Sequence, residues 1–137
     1  MKNIIIDTNI VISAAISGGI PAAAILWVVN HRQQFKWIVS QEILQEYKTV
    51  LSRPRLKLNN IKQQEWFDLL DDSTQLIEVN IDIDFIRDPK DAKFIACAIV
   101  ANANYLITGD KDFADAEMLN NTQVVSASMF LTLNNVI

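Results

Sequence analysis

Acidic residues stand at four places in this chain where carboxylates could act together. Asp7 and Asp110 each follow a short apolar run with the composition of a buried strand. Glu46 lies on the border of an apolar helical stripe, and Asp91 lies near the start of an apolar helix. If both strands belong to one parallel sheet, their acidic ends meet at the edge where α/β proteins bind ligands.

Carboxylates gathered in one site select a particular chemistry. Each close pair would repel by roughly 3 kcal/mol at an effective dielectric constant near 20, so protons or cations must be present. The single histidine, His31, falls where a helix ends, and the single cysteine, Cys97, suits a small core residue. Ligands that are all oxygen select Mg²⁺ or Mn²⁺, which bind phosphates and activate water. The pattern therefore predicts metal-dependent hydrolysis of phosphodiesters.

Three of the four carboxylates also have a purely structural interpretation. Asp7 begins a triplet of residues with turn chemistry, and Glu46 can be an ordinary exposed glutamate of a helix. Asp91 stands three residues after Asp88, where a carboxylate stabilises the start of a helix. The cap and the ligand interpretations of Asp91 are both open at this point, and they are compatible.

Strands and helices alternate along the chain, which predicts a three-layer α/β/α sandwich around a parallel sheet of about four to five strands. Strands are predicted at residues 3–7, 35–39, 76–79, 105–108 and 123–125. Helices are predicted at residues 22–30, 41–51, 61–70, 89–103 and, after Ser126 or Ser128, through 133. Ser40 is a suitable N-cap, as is Asp88 with Pro89 after it.

Composition and charge restrict the class of protein. The 137 residues fit a single domain, residues 1–137. The net charge of −4 argues against a plain electrostatic binder of nucleic acid. Between positions 48 and 62, however, the charged residues are all basic: Lys48, Arg53, Arg55, Lys57 and Lys62. This segment is either a solvated surface or a local contact for a phosphate backbone, with RNA-binding candidates Arg53, Arg55 and Lys57.

The sequence predicts a cytoplasmic protein without a membrane segment. Only three apolar residues stand between Asn3 and Asp7, too few for a secretory signal. The longest apolar run, residues 21–29, is too short to cross a bilayer. One cysteine cannot form an internal disulfide.

Four stretches of the sequence resemble the PIN-domain family: IIIDTN, SQEILQEYKTVLSRP, RDPKDAKFIACAI and YLITGDKDF. They occur in the family's order and spacing and cover essentially the whole chain. Within the family they are similar to the bacterial branch of VapC-like toxins from type II toxin–antitoxin pairs. The resemblance implies a Rossmann-like fold and a ribonuclease that depends on Mg²⁺ or Mn²⁺.

The resemblance also implies which residues form the site. The catalytic, metal-binding carboxylates of the family map onto Asp7, Glu46, Asp91 and Asp110, with a candidate fifth in Asp112. Asn9 and Thr108 match small polar residues that support the site. The implied partners are an RNA substrate, a second copy in a homodimer and an antitoxin whose tail covers the site. Ala92 stands where this branch usually has asparagine, and the usual threonine–proline pair before the last helix is missing. Neither departure removes a carboxylate.

Three other classes compete with this interpretation. A haloacid-dehalogenase-like phosphatase needs a second aspartate two residues after the first, where this chain has Asn9. A phospho-receiver domain needs an aspartate after its third strand and a lysine after its last, and neither is present at those places. A PIN fold kept only for binding RNA or protein is disfavoured by the intact acidic set. Cleavage of RNA that requires Mg²⁺ separates the enzyme from the binding modules.

Overall fold

A computed structural model of the chain describes residues 1–81, 83, 88–110, 113 and 118–137. Its strands are β1 (Lys2–Ile6), β2 (Phe35–Val39), β3 (Thr74–Leu76), β4 (Tyr105–Ile107) and β5 (Gln123–Val125). They form one sheet in the order β3-β2-β1-β4-β5, and each neighbouring pair is parallel. The predicted fold class, a Rossmann-like α/β/α sandwich around a parallel sheet, is confirmed.

The central strand is β1, whose isoleucines are fully buried. Its Ile4 lies opposite Trp37 of β2 on one side and Tyr105 of β4 on the other. The chain runs from β1 outward to β3, then returns to β4 and continues outward to β5. Since crossovers between parallel strands are right-handed, the reversal puts the two sets of connections on opposite faces. A crevice therefore opens between the carboxyl ends of β1 and β4, where Asp7 and Asp110 follow.

The helices are α1 (Thr8–Ser17), α2 (Gly19–Asn30), α3 (Gln41–Leu51), α4 (Asn60–Ser73), α5 (Ala92–Ala101) and α6 (Ala127–Leu133). Short 3-10 turns span Pro54–Leu56 and Pro89–Asp91. The Ser40 hydroxyl accepts the Ile43 N–H at 3.1 Å, which confirms it as the cap of α3. Ser126 rather than Ser128 caps α6, because its hydroxyl accepts the Met129 N–H at 3.0 Å.

Some elements differ from the sequence prediction. Helix α1 was not predicted, and it fills the connection from Asp7 to a break at Gly18 and Gly19, which both adopt positive φ. The third strand was predicted at 76–79 but lies at Thr74–Leu76, directly after α4. The helix predicted at 89–103 consists of a 3-10 turn followed by α5, which ends at Asn102 in the left-handed conformation.

Within the described residues, no single helix is both long and apolar enough to cross a membrane. Helices α1 and α2 reach that length and apolarity only as a pair bent by 112°.

Candidate active site

A cleft of ≈ 420 Å³ lies at the crevice between β1 and β4. The four predicted carboxylates all line it: Asp7, Glu46, Asp91 and Asp110. Arg53 and Arg55 line the same cleft, whereas Lys57 is exposed elsewhere. Asn9, one of the two predicted supporting residues, is an exposed part of its wall. Asp112 lies outside the described residues.

Asp7 leaves β1 in an extended conformation and is half-buried at the floor of the cleft. Its N–H donates to the Ile107 carbonyl at 2.8 Å, which continues the β1–β4 ladder by one residue. Burial raises the pKa of the Asp7 carboxyl above its usual 3.8, and the negative charge of Glu46 also raises it. Hydrogen bonds from the Thr108 hydroxyl and the Asn9 N–H act in the opposite direction on this pKa. Asp7 is therefore a carboxylate whose charge the fold only partly compensates.

Thr108 joins the ends of the two central strands with one hydroxyl group. The hydroxyl donates to Asp7 Oδ2 at 2.7 Å and accepts the N–H of Asp110 at 3.1 Å. Thr108 is 2% exposed, so its hydroxyl is shielded from water where it meets Asp7. Since a hydroxyl has one donor and two acceptor positions, both bonds can form together. Thr108 thus fixes the Asp7 carboxylate relative to the backbone at Asp110.

Glu46 is brought to the cleft by the residue that follows it. The buried Tyr47 hydroxyl donates to the Ile6 carbonyl at the end of β1, and Trp37 Nε1 donates to that hydroxyl at 3.4 Å. Burial raises the pKa of Tyr47 far above its usual value, so the hydroxyl remains a donor. These bonds anchor α3 to the end of β1. They place Glu46 beside Asp7, which explains the coupling of their charges.

Both carboxylate oxygens of Glu46 have partners within the protein. The Thr8 hydroxyl donates to Oε2, and the Lys93 ammonium lies 3.0 Å from Oε1. The interpretation of Glu46 as an ordinary exposed glutamate is therefore wrong, because its carboxylate is held at the cleft from two sides.

Asp88 and Asp91 lie at the two ends of the 3-10 turn that precedes α5. The Asp88 carboxylate accepts the Lys90 N–H at 3.0 Å and so caps the 3-10 turn that begins with Pro89. Asp91 ends that turn at the N-cap position of α5, but its side chain makes no capping hydrogen bond there. Half-buried, it faces the cleft. The capping hydrogen bond of this turn is made by Asp88, and Asp91 is one of the residues that line the cleft.

Three contacting residues were missed by sequence reasoning: Thr8, Tyr47 and Lys93. Thr8 and Tyr47 directly follow Asp7 and Glu46, but threonine after Asp7 fits turn chemistry and Tyr47 fits the apolar stripe of its helix, so neither carries a distinct signal. Lys93 carried a usable signal, because it stands in the first turn of α5 where the helix dipole disfavours a cation. A lysine at such a position indicates an acidic neighbour from another element.

The donor set fits a hard divalent cation, since the four carboxylates offer only oxygen ligands. In the part of the chain that the structure describes, no three histidine, cysteine, aspartate or glutamate side chains are grouped closely enough to hold a metal ion. Thr108 holds an oxygen of Asp7, and Lys93 with Thr8 holds Glu46. The residues that could hold a cation, Asp7, Glu46, Asp91 and Asp110, must therefore adjust their side chains to converge on it.

Comparison with known proteins agrees with this architecture. A chain of VapBC2 from Rickettsia felis, solved as a complex bound to a DNA fragment from their promoter, superposes with a TM-score of 0.59. The two chains are 15% identical, and the alignment covers 89% of this chain and 96% of that chain, so the likeness shows the fold. No curated protein matches the sequence. A family model described as PIN domain matches residues 3–112, a stretch that includes the four cleft carboxylates. The sequence resemblance is thereby confirmed, and the chain belongs to the PIN-domain family.

Proposed function

We propose that this PIN-domain chain is a ribonuclease that depends on Mg²⁺ or Mn²⁺ and hydrolyses RNA phosphodiester bonds. One observation carries the proposal: acidic side chains from four separate segments line a single cleft at the topological switch point of the sheet, namely Asp7, Glu46, Asp91 and Asp110. Sheets of this kind bind ligands at that place. RNA rather than DNA follows from the family resemblance.

The basic residues at the cleft support an anionic substrate. A cleft lined by carboxylates alone would repel a phosphodiester, but Arg53 and Arg55 also line it and are exposed. A guanidinium group can bind two phosphate oxygens at once. Lys48 is engaged elsewhere, because its ammonium lies 2.7 Å from Asp71. Of the basic residues predicted to contact RNA, Arg53 and Arg55 are therefore the proposed phosphate contacts, because Lys57 lies outside the cleft.

Hydrolysis adds water across a P–O bond, so the attacking water loses a proton and the leaving oxygen gains one. A bound divalent cation supplies Lewis acidity, which lowers the pKa of water and stabilises charge on the leaving oxygen. Asp7, Asp91 and Asp110 line the cleft and would offer carboxylate oxygens to that cation. Thr108 holds Asp7 in register with Asp110, and the arginines orient the phosphate between them.

Cleavage of labelled RNA by the purified chain tests the proposal. We expect cleavage in Mn²⁺, none in EDTA, and a loss of orders of magnitude in Asp110→Asn, since several kcal/mol of charge stabilisation depend on the metal. Asp88→Asn is the matched control. It removes a carboxylate that lines the same cleft but caps the 3-10 turn, and asparagine caps equally well. If the chain binds RNA but never cleaves it, the chain is an RNA-binding module rather than a nuclease.

We also propose that the chain is the toxin of a type II toxin–antitoxin pair, acts in the cytoplasm and forms a homodimer. The support is the sequence resemblance to VapC-like toxins and the shared fold with a chain of VapBC2. Exposed apolar side chains on α1 and α2, such as Ile16, Ile20 and Leu26, provide surface suited to protein partners. Light scattering measures the oligomer. Growth arrest on expression, relieved by a small protein encoded next to this chain, tests the pairing, and normal growth with full RNA cleavage would contradict it.

A further inference from the structure

We infer that Lys93 is an internal counter-ion of the acidic cleft. In the metal-free protein its ammonium neutralises Glu46, and it thereby raises the divalent-cation concentration at which the site fills. The inference rests on the proposed metal-dependent function and concerns the regulation of that same site.

The contacts of Lys93 are those of a fixed cation rather than a solvated surface lysine. Its Nζ lies 3.0 Å from Glu46 Oε1 and donates to the Lys90 carbonyl at 3.1 Å. It also lies 5.4 Å from the centre of the Phe94 ring. The Lys93 side chain is 14% exposed and that of Glu46 is 30% exposed. An ammonium group with this many protein partners is held in one place.

The position of Lys93 in its own helix makes this placement informative. Lys93 stands in the first turn of α5, where the helix dipole repels a positive charge. Glu46 of α3, a different element, supplies a carboxylate oxygen 3.0 Å from the Lys93 ammonium. A lysine held there against the dipole indicates that the carboxylates of the cleft, rather than the helix, determine its location.

The ion pair opposes metal binding in two ways. Lys93 holds one oxygen of Glu46 while the Thr8 hydroxyl holds the other, so Glu46 must exchange a partner before it can approach a cation. The ammonium would also repel a divalent cation that used Glu46 as a ligand, because it lies beside that carboxylate. If Lys93 instead pre-organised Glu46 as a ligand, its removal would weaken metal binding. The two roles predict changes of opposite sign.

Titration of the metal-free chain with Mn²⁺, followed by calorimetry, measures the sign. Lys93→Met keeps the length of the side chain and removes the charge. We expect it to bind Mn²⁺ about 10-fold more tightly than wild type, the effect of removing one positive charge near a divalent cation. The same variant should melt at a lower temperature in EDTA, because Glu46 loses its counter-ion. Lys93→Arg should resemble wild type in both measurements.

Lys48→Met is the matched control. Lys48 also pairs with a carboxylate, at 2.7 Å from Asp71, and lies over an aromatic ring, 5.8 Å from the centre of Phe67. Lys48 is not among the residues that line the cleft and its partner is not a cleft carboxylate, so its loss should leave the Mn²⁺ affinity unchanged.

The outcomes separate this inference from the function on which it rests. Wild-type protein that neither binds Mn²⁺ nor cleaves RNA overturns the proposed function. Wild-type protein that binds Mn²⁺, together with a Lys93→Met variant that binds it equally or more weakly, overturns the counter-ion role alone. Tighter binding combined with a lower metal-free melting temperature supports it, since a variant that was merely damaged would lose both.

Discussion

Replacement of Thr108 by valine isolates the role of one buried hydroxyl group in organising the cleft. Valine keeps the branched shape and a methyl group at a position that is 2% exposed. It removes the donor to Asp7 Oδ2 at 2.7 Å and the acceptor of the Asp110 N–H at 3.1 Å. The substitution therefore separates hydrogen bonding from packing.

The expected loss of stability follows from the two bonds. A hydrogen bond to a charged group contributes about 1.5–3 kcal/mol when its acceptor is shielded from water. The N–H of Asp110 adds little, because that residue is exposed and water can replace the hydroxyl. We expect Thr108→Val to lower the free energy of unfolding by about 2 kcal/mol, which for a domain of this size lowers the melting temperature by about 6–8 °C. Urea unfolding in EDTA measures the first quantity and a thermal scan the second.

Thr108→Ser is the control, since it keeps the hydroxyl and removes the methyl group. Its cost should be about 1 kcal/mol of lost apolar burial. Mn²⁺ binding and RNA cleavage should survive in the serine variant and fall in the valine variant, where Asp7 is no longer held toward Asp110. The reasoning is refuted if the valine variant retains wild-type stability and activity, or if the serine variant loses as much of both.

The pH dependence of the valine variant supplies an independent check. Burial raises the pKa of Asp7 above 3.8 and the Thr108 hydroxyl lowers it, so the pKa should rise further in Thr108→Val. A carboxyl whose pKa is raised by folding binds its proton more tightly in the folded state. Its ionisation therefore destabilises the fold as pH increases through the folded pKa. The stability difference between wild type and variant should be largest at neutral pH and should narrow as pH falls toward 3.8.

Three further predictions concern charge and anchoring. Asp7→Asn should melt at a higher temperature than wild type in EDTA, because it removes a partly buried charge next to another carboxylate. The variant should also lose any stabilisation by Mn²⁺. A lower melting temperature in EDTA would contradict the first expectation. Combined Arg53→Gln and Arg55→Gln should weaken RNA binding and reduce the slope of log affinity against log salt by about 1.4. Lys57→Gln, outside the cleft, should change neither quantity. Equal effects of the two variants would show that the arginines do not contact RNA. Tyr47→Phe should cost about 1–3 kcal/mol in urea unfolding, because its buried hydroxyl donates to a carbonyl at the end of β1; a neutral result would show that the bond does not anchor α3.

The elements that the sequence predicted well are those with a strong local signal. The isoleucines before Asp7 and the apolar run before Thr108 are buried strands because no polar side chain interrupts them. Ser40 and Asp88 cap their elements because short polar side chains bond nearby N–H groups in almost any context. The shared position of Asp7 and Asp110 followed from these strands, since parallel strands end at one edge of the sheet.

The elements that were missed depend on contacts between distant parts of the chain. The register of β3 is set by pairing with β2, where Val39 lies opposite Leu76, and local composition does not encode that choice. Helix α1 carries no charged residue in its first or last turn to mark its ends. The ion pair between Lys93 and Glu46 joins two helices, and it became visible only when α3 and α5 were placed together.

The contacts of the cleft also offset part of the repulsion between the carboxylates that line it. Asp7 has a hydroxyl donor in Thr108, and Glu46 has a hydroxyl donor in Thr8 and a cation in Lys93. These partners reduce the repulsion that ionised carboxylates would otherwise impose on the edge of the sheet. The same partners must be displaced or shared when a divalent cation enters. The same side chains therefore stabilise the metal-free fold and weaken the affinity for the metal. A substitution at Lys93 that increases the affinity for the metal should lower the stability of the metal-free fold.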